Sequence, residues 1–305
     1  MPLLTVFSAP KPFTDPHIAV IQRNAIRSWT LLPDTEVFVI GDEPGLAEIA
    51  GELGLPQLRN VTRNDEGTPL ISSIFALARQ YSKSACLAYV NADIILMSDF
   101  VEVARQVADQ KRKFLLVGQR WDLDLLTPLD LTGDWQVRLR ETARSRGKLH
   151  KPSGSDYFIY PPECFIDLPD FAVGRAGWDN WMIYKARKEG WAAIDASAEI
   201  MIIHQKHDYA HLPGRRRHHR LPESARNLTL GGGAHVKQFR LRDTNHVIVD
   251  GRVRRKPITW ERVRYELAMA PYIYTSSRLL QRILVPAFSY LLPRETNKRR
   301  SLSGH

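Results

Sequence analysis

The sequence predicts an α/β fold: a mostly parallel central sheet flanked by helices, with a hairpin and a helical extension behind it. Three observations predict this. Short apolar runs of strand length alternate with segments of helical period through the first half of the chain. The run at residues 85–90 is apolar or aromatic throughout, as a strand buried on both faces must be. Three polar residues, Ser8, Asp42 and Asp93, follow such runs, and the carboxyl ends of parallel strands are where ligands bind.

The elements follow in order. Residues 3–7 read as the first strand. Asp15-Pro16 then starts a helix, with the aspartate as cap and proline in the first turn. Ile18, Ile21, Ala25 and Ile26 give that helix its buried side. Residues 36–40 form a second strand, closed by Gly41-Asp42-Glu43-Pro44-Gly45. Thr68-Pro69 is expected to cap a helix carrying Leu70, Ile71, Ile74, Phe75 and Leu77. Residues 85–90 and 113–117 are further strands. A turn at Thr132-Gly133-Asp134 leads into a charged helix, and 155–160, 192–194 and 199–204 are later strand-like runs. A basic stretch at 215–220 and Gly231-Gly232-Gly233 come next. A boundary is therefore expected at 212/213, separating a domain at 1–212 from an extension at 213–305. The extension holds a hairpin at 247–254 and helices. The last of them carries Leu279, Leu280, Ile283, Leu284, Phe288, Leu291 and Leu292, ahead of Lys298-Arg299-Arg300.

Length and composition set limits. A chain of 305 residues, 44% hydrophobic and 25% charged, suits one large domain with an appendage and excludes global disorder. Two cysteines, Cys86 and Cys164, give no disulfide framework, which points to a reducing compartment. The start lacks a basic leader, and no apolar run reaches the ~18 residues that span a bilayer. The expected location is cytoplasmic, with peripheral contact at the inner membrane face as an option for the basic tail. The formal net charge of +10 suits anionic partners: nucleotide phosphates, anionic lipid or nucleic acid.

Four clusters carry candidate chemistry. Asp93 stands at the tip of a buried strand, where a carboxylate loses little side-chain entropy and can hold Mg²⁺ or Mn²⁺ against diphosphate oxygens. Asn91 shares its side if the chain stays extended, placed for a ribose or phosphate. Taken alone, Asn91-Ala92-Asp93 is better read as a turn and cap. Its place after a central strand, with Asp42 at another strand end, reverses that preference. In the second cluster, Gly174 and Gly177 allow close backbone approach, and Trp178 and Trp181 offer flat faces for sugar rings. Asp179 between them is a candidate general base, or simply a helix cap. In the third, His204 follows an apolar strand and can give a neutral imidazole to a metal, with His207 the weaker candidate. In the fourth, Asp156 begins an aromatic strand and can accept hydrogen bonds from sugar hydroxyls, or serve as a turn residue. No phosphate-binding loop, G-x-G-x-x-G, G-x-S-x-G or H-E-x-x-H pattern occurs, which argues against the enzymes built on them.

In this order the segments 5–10, 89–95, 154–158, 177–181 and 203–209 resemble the GT-A glycosyltransferases, in their family-2-like bacterial branch. The resemblance covers roughly residues 3 to 210 and implies a Rossmann-like GT-A sheet. Asn91-Ala92-Asp93 stands where the family has its DXD motif, with asparagine replacing the first aspartate. Asp93 would then bind Mn²⁺ or Mg²⁺ on the diphosphate and Asn91 the ribose. Ser8, with the adjoining Ala9, and Asp42 would line the nucleotide pocket. Asp179 matches the base of inverting members, and His204 a late metal ligand. The implied donor is a nucleotide sugar, UDP-linked by preference, with GDP and dTDP open. The implied acceptor is a glycan, a lipid-linked group or another hydroxyl, as in polysaccharide biosynthesis. Two rival readings stand beside this one. One is a retaining transferase of the same fold. The other is a non-enzymatic binder using Arg215 to Arg220 on nucleic acid or other anions, although no nucleic-acid module is recognisable. The last helix is read as packing on the domain, forming a homodimer or meeting a membrane interface.

Overall fold

The computed structural model describes residues 1–206, 221–275, 279–280 and 283–284. The chain divides into two compact units, Met1–Arg255 and Lys256–His305. Residue 213, expected as a boundary, falls within the first unit and outside the described residues.

The first unit begins β1 (Leu4–Ser8), α1 (Pro16–Thr30), β2 (Thr35–Ile40), α2 (Leu46–Glu52), β3 (Gln57–Leu58), α3 (Ile71–Tyr81) and β4 (Cys86–Val90). It continues β5 (Ile94–Ile95), α4 (Asp99–Ala108), β6 (Phe114–Val117), β7 (Arg120–Leu123), α5 (Trp135–Arg146), β8 (Lys148–Leu149) and β9 (Tyr157–Tyr160). It closes with α6 (Trp178–Lys188), β10 (Ala192–Asp195), β11 (Ile202–Gln205), α7 (Pro222–Leu230), β12 (His246–Val249) and β13 (Arg252–Arg255). The second unit contributes α8 (Trp260–Tyr274), capped by the Thr259 hydroxyl. No helix among the described residues is long and apolar enough to cross a membrane.

The architecture is α/β, with a large, mostly parallel central sheet. Its nine strands run in the order β3-β2-β1-β4-β9-β6-β10-β12-β13. Only β9 and β13 run antiparallel to their neighbours. Every residue of β1, β4, β6 and β9 is buried, which is why these segments read as continuous apolar runs. A second sheet of four short strands, β5-β11-β7-β8, carries the rest of the site.

Local chemistry explains most boundaries. Asp15 caps α1 as expected, its carboxylate accepting from the His17 and Ile18 amides at 2.9 Å each. The β12–β13 hairpin turns at Asp250 and Gly251, both with positive φ (48° and 67°), as a tight two-residue hairpin turn requires. Its β12 strand pairs with β10, so the expected hairpin is an edge of the main sheet rather than a separate element. Thr68-Pro69 does not cap α3. Leu70 is extended and bridged to Ala172, and the Ile71 amide donates to the Phe171 carbonyl, so the helix starts only at Ile71.

Helix α1 positions the segment after β4. The indole of Trp29, fully buried, donates to the Ile94 carbonyl at 2.8 Å, and the Leu96 amide donates to the Ser28 hydroxyl at 3.1 Å. Strand β5 is thus fixed at both ends to α1. Pairing then does the rest. Antiparallel β11 sets His204 against Ile94, and parallel β7 sets His204 against Asp122.

Candidate functional site

A cleft of about 560 Å³ opens at the carboxyl ends of β1 and β4. Ala9 and Lys11 line it from the loop after β1, and Asn91, Ala92 and Asp93 from the turn after β4. Asp156, Arg120 and His204 line it from the starts of β9 and β7 and from β11, while Arg63, Thr68 and Arg175 lie around it.

Asn91 is tied to Asp156 twice. Its amide donates to the Asp156 carbonyl at 2.9 Å, and its side-chain amide donates to the Asp156 carboxylate at 3.0 Å. Arg120 reaches the same carboxylate through both oxygens, at 2.7 and 2.8 Å. Asp156 is 6% exposed, so three hydrogen bonds and a cation hold its charge in a largely dry position. Beyond Asn91 the strand does not stay extended: the Ile94 amide bonds back to the Asn91 carbonyl at 3.1 Å, making a turn. Strand parity therefore does not relate Asn91 to Asp93. The turn does, and both line the cleft.

Asp93 faces His204, with 3.7 Å between the carboxylate Oδ2 and the imidazole Nε2. The other ring nitrogen, Nδ1, lies 3.0 Å from Asp122 Oδ1, and the second Asp122 oxygen lies 2.7 Å from His150 Nδ1. Burial works against an ionised Asp122. The hydrogen bonds from His204 and His150 and the charge of Arg120 outweigh it and hold the carboxyl well below its usual range. An ionised carboxylate only accepts, so Nδ1 of His204 carries the hydrogen and Nε2 is turned toward Asp93. Burial disfavours the His204 imidazolium, yet the Asp122 hydrogen bond and the Asp93 charge outweigh it and raise the imidazole's pKa. Among the described residues, no three His, Cys, Asp or Glu side chains group to hold a metal ion. A carboxylate and an oriented imidazole do suit a Mg²⁺ or Mn²⁺ that takes its remaining ligands from a diphosphate and water.

No family model matches the chain, and no curated protein does. Among solved structures it is similar to a mannosyltransferase, PcManGT of Pyrobaculum calidifontis, in complex with GDP-Man and Mn²⁺. That likeness has TM-score 0.40 and 15% identity, over 66% of this chain and 56% of that one. It is also similar to S. aureus TarS 1-349 in complex with UDP-GlcNAc, with TM-score 0.32 and 13% identity over 40% of this chain and 35% of that one. A second TarS 1-349 structure gives TM-score 0.39 and 12% identity over 67% and 58%. The chain thus spans less than two thirds of each of these proteins. At such scores the likenesses carry no weight for function.

The structure gathers Ala9, Asn91, Asp93, Asp156 and His204 on the one cleft. The remaining expected residues lie elsewhere. Ser8 is fully buried under the cleft, and its hydroxyl has no hydrogen-bond partner among the described residues. Asp42 is exposed outside the cleft lining and paired with Arg63, while its neighbour Glu43 lines the cleft. Trp178 and Trp181 are core residues, 5% and 6% exposed, and offer no open face to a sugar. Trp178 packs on Phe75, Tyr89 and Phe158, and Trp181 on Phe165 and Phe171. Asp179 sits in the first turn of α6, accepting from the Gly177 amide at 3.3 Å, and does not line the cleft. Burial raises its pKa, with the nearby charge of Asp156 adding to the rise. His207 lies outside the described residues. Lys11, Arg120 and Asp122 carry no motif that singles them out. A strand-end position at the start of β7 is the one signal Arg120 and Asp122 offer.

Proposed function

We propose that the protein transfers a sugar from a nucleoside-diphosphate donor to an acceptor hydroxyl. One observation carries this reading: Asn91, Asp93, Asp156 and His204, from three separate stretches of sequence, line a single strand-end cleft that also holds arginine and lysine side chains. Asp93 and His204 would hold a divalent cation, which when bound supplies positive charge to the diphosphate. Asn91 and Asp156, already paired and braced by Arg120, present fixed polar groups to ribose and sugar hydroxyls. Positioning and charge stabilisation of this kind supply most of the rate in such reactions. Asp179 takes the acceptor proton in the inverting course, supported by a pKa that burial raises toward the range of an effective base. The retaining course is the second reading, favoured by the position of Asp179 off the cleft lining.

The test is a panel of UDP-, GDP- and dTDP-linked sugars with the full chain, with and without Mn²⁺. At least one donor is expected to raise the melting temperature, and Mn²⁺ to enlarge the shift. Asp179→Asn should abolish transfer while keeping donor binding. The sign of its stability effect follows from its pKa: a carboxylate raised on folding loses stability as pH rises through the raised value. The variant should therefore melt no lower than the parent at neutral pH. Silence across the whole panel would reject the donor reading, and near-normal turnover by Asp179→Asn would reject the base.

A further inference from the structure

The four basic side chains that line the cleft beside His204 differ in how they are engaged. Arg120 is committed to Asp156 and Asp122. Arg63 is committed to Asp42, Glu43 and the Gly67 carbonyl. Arg175 donates to Glu223 at 2.5 Å. Lys11 is the exception: among the described residues its ammonium has neither an ion pair nor a hydrogen bond. It is half-buried, and it senses the charge of Asp93.

Its backbone, by contrast, is tightly held. The Lys11 amide donates to Gln22 Oε1 at 2.6 Å, and Gln22 Nε2 donates back to the Lys11 carbonyl at 2.9 Å. Gln22 is 2% exposed, so this clamp lies within the protein. Pro12 restricts Lys11 to the extended region, and Pro10 precedes it. The outcome is a rigid stem bearing an uncommitted cation at the mouth of β1, in the cleft that holds Asp93. Burial lowers the ammonium's pKa, with Asp93 opposing that change, so the cation is paid for in solvation and is not a solvated surface lysine.

We propose that Lys11 binds the terminal phosphate of the donor's diphosphate and meets the charge that develops there. This inference rests on the donor reading given above. In the transfer, the bond between the anomeric carbon and the diphosphate oxygen breaks, and its electron pair stays on that oxygen. The acceptor oxygen forms the new bond, and its proton passes to the base. A pre-organised ammonium beside the departing oxygen stabilises this charge without reorganisation.

The experiment is isothermal titration of the full chain in EDTA with UDP and GDP and with the corresponding monophosphates. Lys11→Met and Lys11→Arg are compared with the parent. Lys11→Met is expected to weaken diphosphate binding about tenfold or more, the effect of losing a charged hydrogen bond. Monophosphate binding should change far less, and Lys11→Arg should retain most of the diphosphate affinity. A Lys11→Met protein that binds diphosphate like the parent overturns the proposal, as does equal weakening of mono- and diphosphate. A parent that binds neither diphosphate, in EDTA or with Mn²⁺ restored, overturns the donor reading itself, a result distinct from failure of Lys11 alone. If the parent binds only with Mn²⁺, the variants are compared in that buffer under the same criteria. Should Lys11→Met be poorly folded, Lys11→Gln replaces it under the same criteria.

Discussion

At the scale of single residues, the site depends on which groups hold others in place. Asp122 does not itself line the cleft, yet it decides which nitrogen of His204 faces Asp93. Second-layer carboxylates of this kind set the tautomer and basicity of a ligating imidazole, and losing one costs about 10–100-fold in metal affinity. Asp122→Asn is therefore expected to weaken Mn²⁺ binding in the presence of a nucleoside diphosphate by about that factor. A second readout needs no metal. The hydrogen bond from His204 to Asp122 raises the imidazole's pKa, so removing the carboxylate charge should lower it, as histidine NMR titration would record. A His204 pKa unmoved by Asp122→Asn would show that the pair does not control the imidazole. His150, on the far oxygen of Asp122, should matter less when replaced by alanine.

At the scale of elements, helix α1 acts as the frame of the Asn91–Asp93 turn. Trp29 and Ser28 bond to the backbone of the strand that follows it. Trp29→Phe keeps most of the apolar volume but leaves the buried Ile94 carbonyl without its donor. The expected loss is about 1–3 kcal/mol in denaturant unfolding, with a weaker response to nucleotide in the same protein. An unchanged midpoint would mean that the indole hydrogen bond is dispensable. Elements were also where the sequence was most and least readable. Strands β1, β4, β6 and β9, and β2 from Val37 onward, announce themselves because burial on both faces demands largely apolar residues. Trp178 and Trp181 misled for a related reason. A three-residue spacing puts both on one helical face, and the sequence cannot say whether that face meets a ligand or the core. Here it meets Phe75, Phe158 and Phe171. Thr68-Pro69 has the form of a helix start, but the bridge from Leu70 to Ala172 overrides it.

At the scale of the whole first unit, the site is a product of pairing between distant strands. Asp93 and His204 stood out because each lies at the end of an apolar run, His204 directly and Asp93 after Asn91-Ala92. Arg120 and Asp122 were not, because their partners come from β9, β11 and the 150 region, and register is not written in any local pattern. One buried residue holds this long-range arrangement together. Gln205, 0% exposed, follows His204 in β11. Its side-chain amide donates to the Ile21 carbonyl of α1 at 2.8 Å and to the Asp93 carbonyl at 3.2 Å, and its oxygen accepts from Asn24 at 2.9 Å. It therefore joins the small sheet, the framing helix and the Asp93 backbone at one point. Gln205→Leu preserves volume but removes every one of these bonds, and each buried polar group left unpaired costs about 1–3 kcal/mol. The variant should lose at least about 2 kcal/mol of unfolding free energy, and donor binding should weaken even where the protein remains folded. If Gln205→Leu were destabilised but bound nucleotide like the parent, the Gln205 contacts would serve only stability. If both were unchanged, the Gln205 side chain would be dispensable, and the strand register at His204–Ile94 with the backbone bond from Gln205 to the Asp93 carbonyl would suffice to hold Asp93 near His204.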